Sequence, residues 1–169
     1  MVRERLFKHP GPVLLAAALL LSSAPLALGA RTSVAADASV DRAYAARSEL
    51  HAAVTEWIAA TNSKDLDAQL EFYPPRMQAF YLWRDTSREA VLAEKRRVFE
   101  QADIVDIRIE TPQIVFEERE QAARMYFRKR YLIVNERGER EGEVLQELRW
   151  KKHADGWKIT SERDLRVLN

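Results

Sequence analysis

The spacing of apolar residues changes once along the chain, near Asp103, and that change limits the folds open to it. Upstream, Ala46, Leu50, Ala53, Val54, Trp57, Ile58 and Thr61 recur at helical intervals, the stripe of an amphipathic helix. Asp41 is placed to cap that helix. A short second helix follows, capped by Ser63 or Asp65, with Leu66, Leu70 and Tyr73 as its stripe. Pro74-Pro75 ends it, because proline has no amide hydrogen and disfavours helix in the residue before it. Residues 77–83 are apolar and aromatic and read as a short strand or a lid. Thr86 and Glu89 have capping-box spacing and open a third helix, striped by Val91, Leu92, Lys95, Val98, Phe99 and Ala102. Beyond Asp103 the period is two, which predicts strands over 104–110, 113–117, 123–134, 143–152 and 157–168. Pro112 implies a bend or an edge, and Ala154-Asp155-Gly156 is a hairpin signal. Three helices followed by a meander is an α+β arrangement, with helices packed on one sheet face.

Strict alternation sorts the long strands into two faces. One carries Ala123, Met125, Phe127, Lys129, Tyr131 and Ile133, then Val144, Gln146, Leu148 and Trp150, then Trp157, Ile159, Ser161 and Arg163. The other is charged and mixed in sign, and on this count it holds Glu147, Glu162 and Asp164. The first face must meet the helices, yet its middle is polar: Lys129, Gln146, Ser161 and Arg163. Buried polar groups without partners cost several kcal/mol. These residues therefore either bond to one another or line a wet cavity. Tyr73, Tyr81 and Trp83 form either the mouth of such a cavity or part of the core.

Residues 1–30 have the layout of a secretory signal peptide. Arg3, Arg5 and Lys8 form the basic region, Val13 to Leu21 the apolar run, and Ala27-Leu28-Gly29 a site for cutting before Ala30. Cutting after Ala30 or Ala36 is a further option, and a retained membrane anchor is the other reading of the same stretch. Residues 31–40 are small and polar and read as a flexible N-terminus, followed by a single domain over 41–169. The whole chain has 27 basic and 26 acidic side chains; without Arg3, Arg5, Lys8 and Glu4, 24 and 25 remain. That balance gives no field for drawing in nucleic acid or an anionic membrane.

The chain has no cysteine, which rules out a thiol nucleophile and Cys-ligated metal sites. His9, His51 and His153 are too scattered to ligate one ion, and the glycines mark turns rather than a phosphate-binding loop. With no Asp or Glu assigned to the inner face, no catalytic residue, metal or cofactor is indicated.

Trp57-Ile58-Ala59-Ala60, Lys64-Asp65-Leu66-Asp67-Ala68 and Phe72-Tyr73-Pro74 resemble the opening of the NTF2-like (SnoaL-like) superfamily. Phe127 to Tyr131, Glu147 to Trp150 and Gly156 to Ile159 resemble its closing strands. The resemblance spans residues 42–168 and implies a cone, three helices on a curved antiparallel sheet. Within the superfamily the chain looks most like the Cds6-like accessory domain of exported bacterial L,D-transpeptidases. The transpeptidase itself needs a cysteine that is absent here. The superfamily includes isomerases, dehydratases and cyclases as well as inactive binding modules, so fold alone selects no function. The expectation is an exported, non-catalytic module that binds a small molecule or a cell-envelope partner, protein or peptidoglycan, through its cone. Tyr73, Trp83, Lys129, Tyr131, Gln146 and Arg163 are the candidate ligand-binding residues. The alternative is a small isomerase or dehydratase acting on a hydrophobic carbonyl compound. Pairing of two copies through the charged sheet face is a further possibility.

Overall fold

The structure, a computed structural model, describes the backbone of residues 29–168 and the side chains of 37–168. The expected signal peptide lies almost wholly outside the described residues. Among those residues no helix is long and apolar enough to cross a membrane.

Helix α1 (Gly29–Asn62) does not start at Asp41 but runs through it. No glycine or proline interrupts the Ala-rich sequence from Ala30 to Asn62, so nothing in the backbone stops the helix earlier. Among the described side chains its first buried residue is Ala46; Val40 and Tyr44 are exposed, and Leu50, Val54 and Trp57 are buried. Helix α2 (Leu66–Leu70) is capped by Asp65, whose side chain accepts from the Ala68 amide. Strands β1 (Arg76–Phe80) and β2 (Trp83–Ser87) form a hairpin where a single strand or a lid was expected. Helix α3 (Arg88–Gln101) is capped by Ser87, one residue after the predicted Thr86, which is buried in β2.

The remaining strands are β3 (Ile104–Ile109), β4 (Gln113–Glu117), β5 (Ala122–Asn135), β6 (Gly138–His153) and β7 (Gly156–Val167). The sheet runs β2-β1-β7-β6-β5-β3, with β4 also on β5. Strands β3 and β4 pair with successive stretches of β5 and are separated at Glu110–Pro112, the bend that Pro112 predicts. The sheet is antiparallel except where β1 meets β7, which is parallel: Ala79 faces Ser161 and Phe80 faces Glu162. The inner face packs on the helices through Met125, Leu148, Trp150 and Ile159, against Leu50, Val54, Trp57 and Val91. On the outer face the charges pair within the chain: Arg128 and Arg130 reach Glu143 at 2.8 and 3.0 Å, and Arg149 reaches Glu147 at 3.0 Å.

One irregularity overturns the face assignment of β7. Trp150 pairs with Ile159, but Arg149 pairs with Ser161, so Thr160 is an extra residue and its hydroxyl donates to the Arg149 carbonyl at 3.1 Å. Past such a bulge every side chain changes face. Glu162 therefore lies opposite Leu148, and Asp164 opposite Gln146, both on the inner face. Arg163 lies opposite Glu147, on the outer one. A second register shift follows between Leu145 and Gln146.

Leu50→Ala should cost about 2–5 kcal/mol in urea unfolding, as expected for a buried leucine. Tyr44→Ala, two turns earlier on the same helix, should change stability by less than about 0.5 kcal/mol. Equal losses would mean that packing extends along the whole of α1.

Candidate ligand-binding site

The turned β7 carries a carboxylate into the middle of the domain. Glu162 is 1% exposed. Its Oε2 accepts from the Tyr73 hydroxyl at 2.9 Å, and its Oε1 from the Tyr81 hydroxyl at 2.8 Å. The Lys95 ammonium stands 3.6 Å from Oε1. Tyr73 in turn accepts from the Trp57 indole at 3.2 Å, so its own proton is committed to Glu162. Lys95 is also ringed by aromatic faces, 5.5 Å from the centroid of Tyr73, 5.6 Å from Phe80 and 5.9 Å from Trp57, a cation–π arrangement.

Burial pushes the Glu162 carboxyl up, but the Lys95 and Lys129 ammonium groups and the two phenols outweigh it, so the group sits below its ordinary value. Burial, with the Glu162 charge as second cause, raises both phenols well above theirs. Burial also lowers Lys95, against the pull of Glu162.

Tyr81 is held in the two-residue β1–β2 turn at φ +51°, a left-handed conformation that costs a non-glycine residue about 1–3 kcal/mol. That turn lets its amide donate to the Glu162 carbonyl at 2.7 Å while its phenol reaches the carboxylate.

A second polar group lies next to the first. Asp164 Oδ1 accepts from Gln146 at 2.8 Å and pairs with Lys129 at 3.2 Å. Lys129, Tyr81 and Asp164 line a cavity of about 350 Å³ between α3 and the inner faces of β3, β5, β6 and β7. Val98, Phe99, Ile107 and Val144 supply apolar wall, and Lys95 borders it. That volume is at the low end of the ~300–1,000 Å³ of small-molecule sites. Tyr131 lines it as well and packs against Gly142, where a β carbon would lie 2.6 Å from the phenol oxygen.

Of the candidate residues, Lys129 and Tyr131 line this cavity. Gln146 and Tyr73 are buried behind it and act through Asp164 and Glu162. Trp83 is half exposed on β2 and is not part of the lining, and Arg163 faces the other side of the sheet. The sequence reading missed Lys95, Glu162 and Asp164. Lys95 had a signal, a lysine inside the apolar stripe of α3; the two acids were hidden by the bulge. Among the described residues no cluster of histidine and acidic side chains could hold a metal ion.

The geometry limits the chemistry. A general base needs a lone pair facing the substrate and an affinity for protons near the working pH. Both oxygens of Glu162 are occupied, and its proton affinity is lowered. Glu94, on the cavity edge, is paired with Arg97. Asp164 is the acidic side chain left to meet a bound molecule.

No family profile and no curated protein matches the chain by sequence. Solved structures do match, and the fold they share is NTF2-like. A putative dehydratase of the NTF2-like family from Streptomyces avermitilis is 14% identical at TM-score 0.60, over 69% of this chain and 91% of that one. A putative scytalone dehydratase from Novosphingobium aromaticivorans is 11% identical at TM-score 0.67, over 77% and 89%. An NTF2-like superfamily protein from Salmonella enterica is 10% identical at TM-score 0.63, over 72% and 90%. Identities this low establish the fold alone.

Glu162 ionises more readily in the fold than in the unfolded chain. Its contribution to stability is complete above the unfolded value of about 4.3 and disappears as pH falls through the lower folded value. Urea unfolding across pH should show that loss. Glu162→Gln should cost about 3–5 kcal/mol at neutral pH by leaving Lys95 unpaired, and should flatten the acid decline. Adding Lys95→Met should recover part of the loss. An unchanged acid decline in Glu162→Gln would contradict the ionised assignment.

Proposed function

We propose that the chain is an exported, non-catalytic module that holds a small amphipathic molecule in its cone. The observation that carries this reading is the cavity itself, which has apolar walls and a polar floor whose charges are already paired. Such a floor orients a ligand through fixed donors and acceptors. Lys129 and Tyr131 contact the ligand directly, and Gln146 and Tyr73 fix the groups behind it. Export rests on the leader in residues 1–30, and it limits partners to the envelope or the medium. The finer resemblance to transpeptidase accessory domains fits the same reading, with peptidoglycan or an envelope protein as the source of the ligand.

Asp164 favours a second reading. It faces the cavity beside Lys129, where a carboxylate and a cation could move a proton next to a carbonyl and steady the oxyanion that results. The structural neighbours described as putative dehydratases are consistent with such chemistry but do not carry it to this chain.

Native mass spectrometry of the protein purified after export should show a retained small molecule, lost in Val98→Trp, which fills the cavity. Asp164→Asn should leave retention within a few-fold. A bare protein indistinguishable from Val98→Trp would count against the binding reading. Turnover of a carbonyl substrate that Asp164→Asn abolishes would establish the enzyme instead.

A further inference from the structure

The cavity has a charge imbalance that narrows its ligand. Lys95, Arg97, Lys129 and Arg140 all line it. Three have carboxylate partners: Lys95 has Glu162, Lys129 has Asp164 and Arg97 has Glu94. Arg140 has no carboxylate within ion-pair distance among the described residues, and its guanidinium lies 5.8 Å from the Tyr131 ring centroid. Arg97 and Arg140 also border an adjoining hollow of about 150 Å³ beside Gln101 and Asn135. The two guanidiniums thus stand where the cavity meets that hollow, at the end away from Glu162.

Resting on the cavity reading above, we infer that the ligand is a monoanionic amphiphile bound head-outward. Its apolar body fills the cavity, and its carboxylate, or another singly charged acid group, sits on Arg140 with Arg97 beside it. The reverse orientation would push the anion towards the Asp164 and Glu162 carboxylates, and like charges repel most strongly where water is excluded, as it is at Glu162. The inner cations cannot compensate for it, because each is already paired. A planar guanidinium takes a carboxylate through two parallel hydrogen bonds, which an ammonium cannot do. The match of one free positive charge to one negative charge also disfavours a dianion.

Calorimetry on the full chain with 4-phenylbutyrate and 4-phenylbutan-1-ol separates charge from shape. The acid should bind about tenfold more tightly than the alcohol, a difference of ~1.4 kcal/mol. Added salt should narrow the gap, because the mouth is open to water. Arg140→Gln should bring the ratio of affinities close to one, and Arg140→Lys should keep part of it. Arg96→Gln, on the exposed side of α3, removes the same charge away from the cavity and should leave the ratio intact. Equal binding of acid and alcohol to the unaltered protein, or a preference that survives Arg140→Gln, would overturn the inference and leave the cavity reading standing. Failure of both probes to bind would overturn the cavity reading and this inference with it.

Discussion

A full negative charge lies at the centre of this domain, and much of the structure can be understood as its compensation. An unpaired carboxylate in such a place would cost several kcal/mol. Glu162 avoids that cost through partners from three separate elements: Tyr73 after α2, Tyr81 in the β1–β2 turn and Lys95 on α3. Two of these partners are themselves fixed, Tyr73 by the Trp57 indole and Tyr81 by the hydrogen bond its amide donates to the Glu162 carbonyl. The charge thereby ties helices α2 and α3 and the hairpin to one point on the sheet.

The cavity is the complement of this arrangement. At the Glu162 end, aromatic rings and Lys95 close the space between helices and sheet. Further along, α3 turns Val98 and Phe99 to strands β3, β5 and β6, whose apolar lining there comes from Val105, Ile107, Ile133 and Val144, and the space stays open. The Lys129–Asp164–Gln146 group marks the boundary between the two regions. Lys129 and Gln146 both bond to Asp164 Oδ1, so this group forms a firm floor to the cavity. Arg140, without a carboxylate partner among the described residues, borders both the cavity and the adjoining hollow.

The architecture was largely legible in the sequence because it depends on periodicity. The helical stripe from Ala46 to Thr61 and the alternation through β5 and β6 lie where the packing puts them. Pro112 marked the bend between β3 and β4, and Gly156 the last hairpin. The start of α1 was not legible, because a suitable cap at Asp41 does not prevent an Ala-rich segment from staying helical upstream. The site was only half legible, and for one reason. Alternation propagates a single error to every later residue of a strand, and the extra residue at Thr160 has no signature in sequence, being neither glycine nor proline. It exchanged Ser161 and Arg163 for Glu162 and Asp164 on the inner face, and so hid the two acids around which the site is built. Lys95 was visible in the stripe of α3, but its partner was assigned to the wrong side of the sheet.

The negative charge on Glu162 is the premise on which the packing of Tyr73, Tyr81 and Lys95 around it rests. A carbon-detected NMR titration of the glutamate side-chain carboxyls, with Glu162→Gln to identify the signal, measures it directly. The account predicts a Glu162 carboxyl that stays ionised below the ordinary glutamate midpoint of about 4.3, down to acid unfolding. A midpoint displaced upward towards neutrality would contradict it, because such a group would be neutral at working pH and would leave Lys95 without its counter-charge.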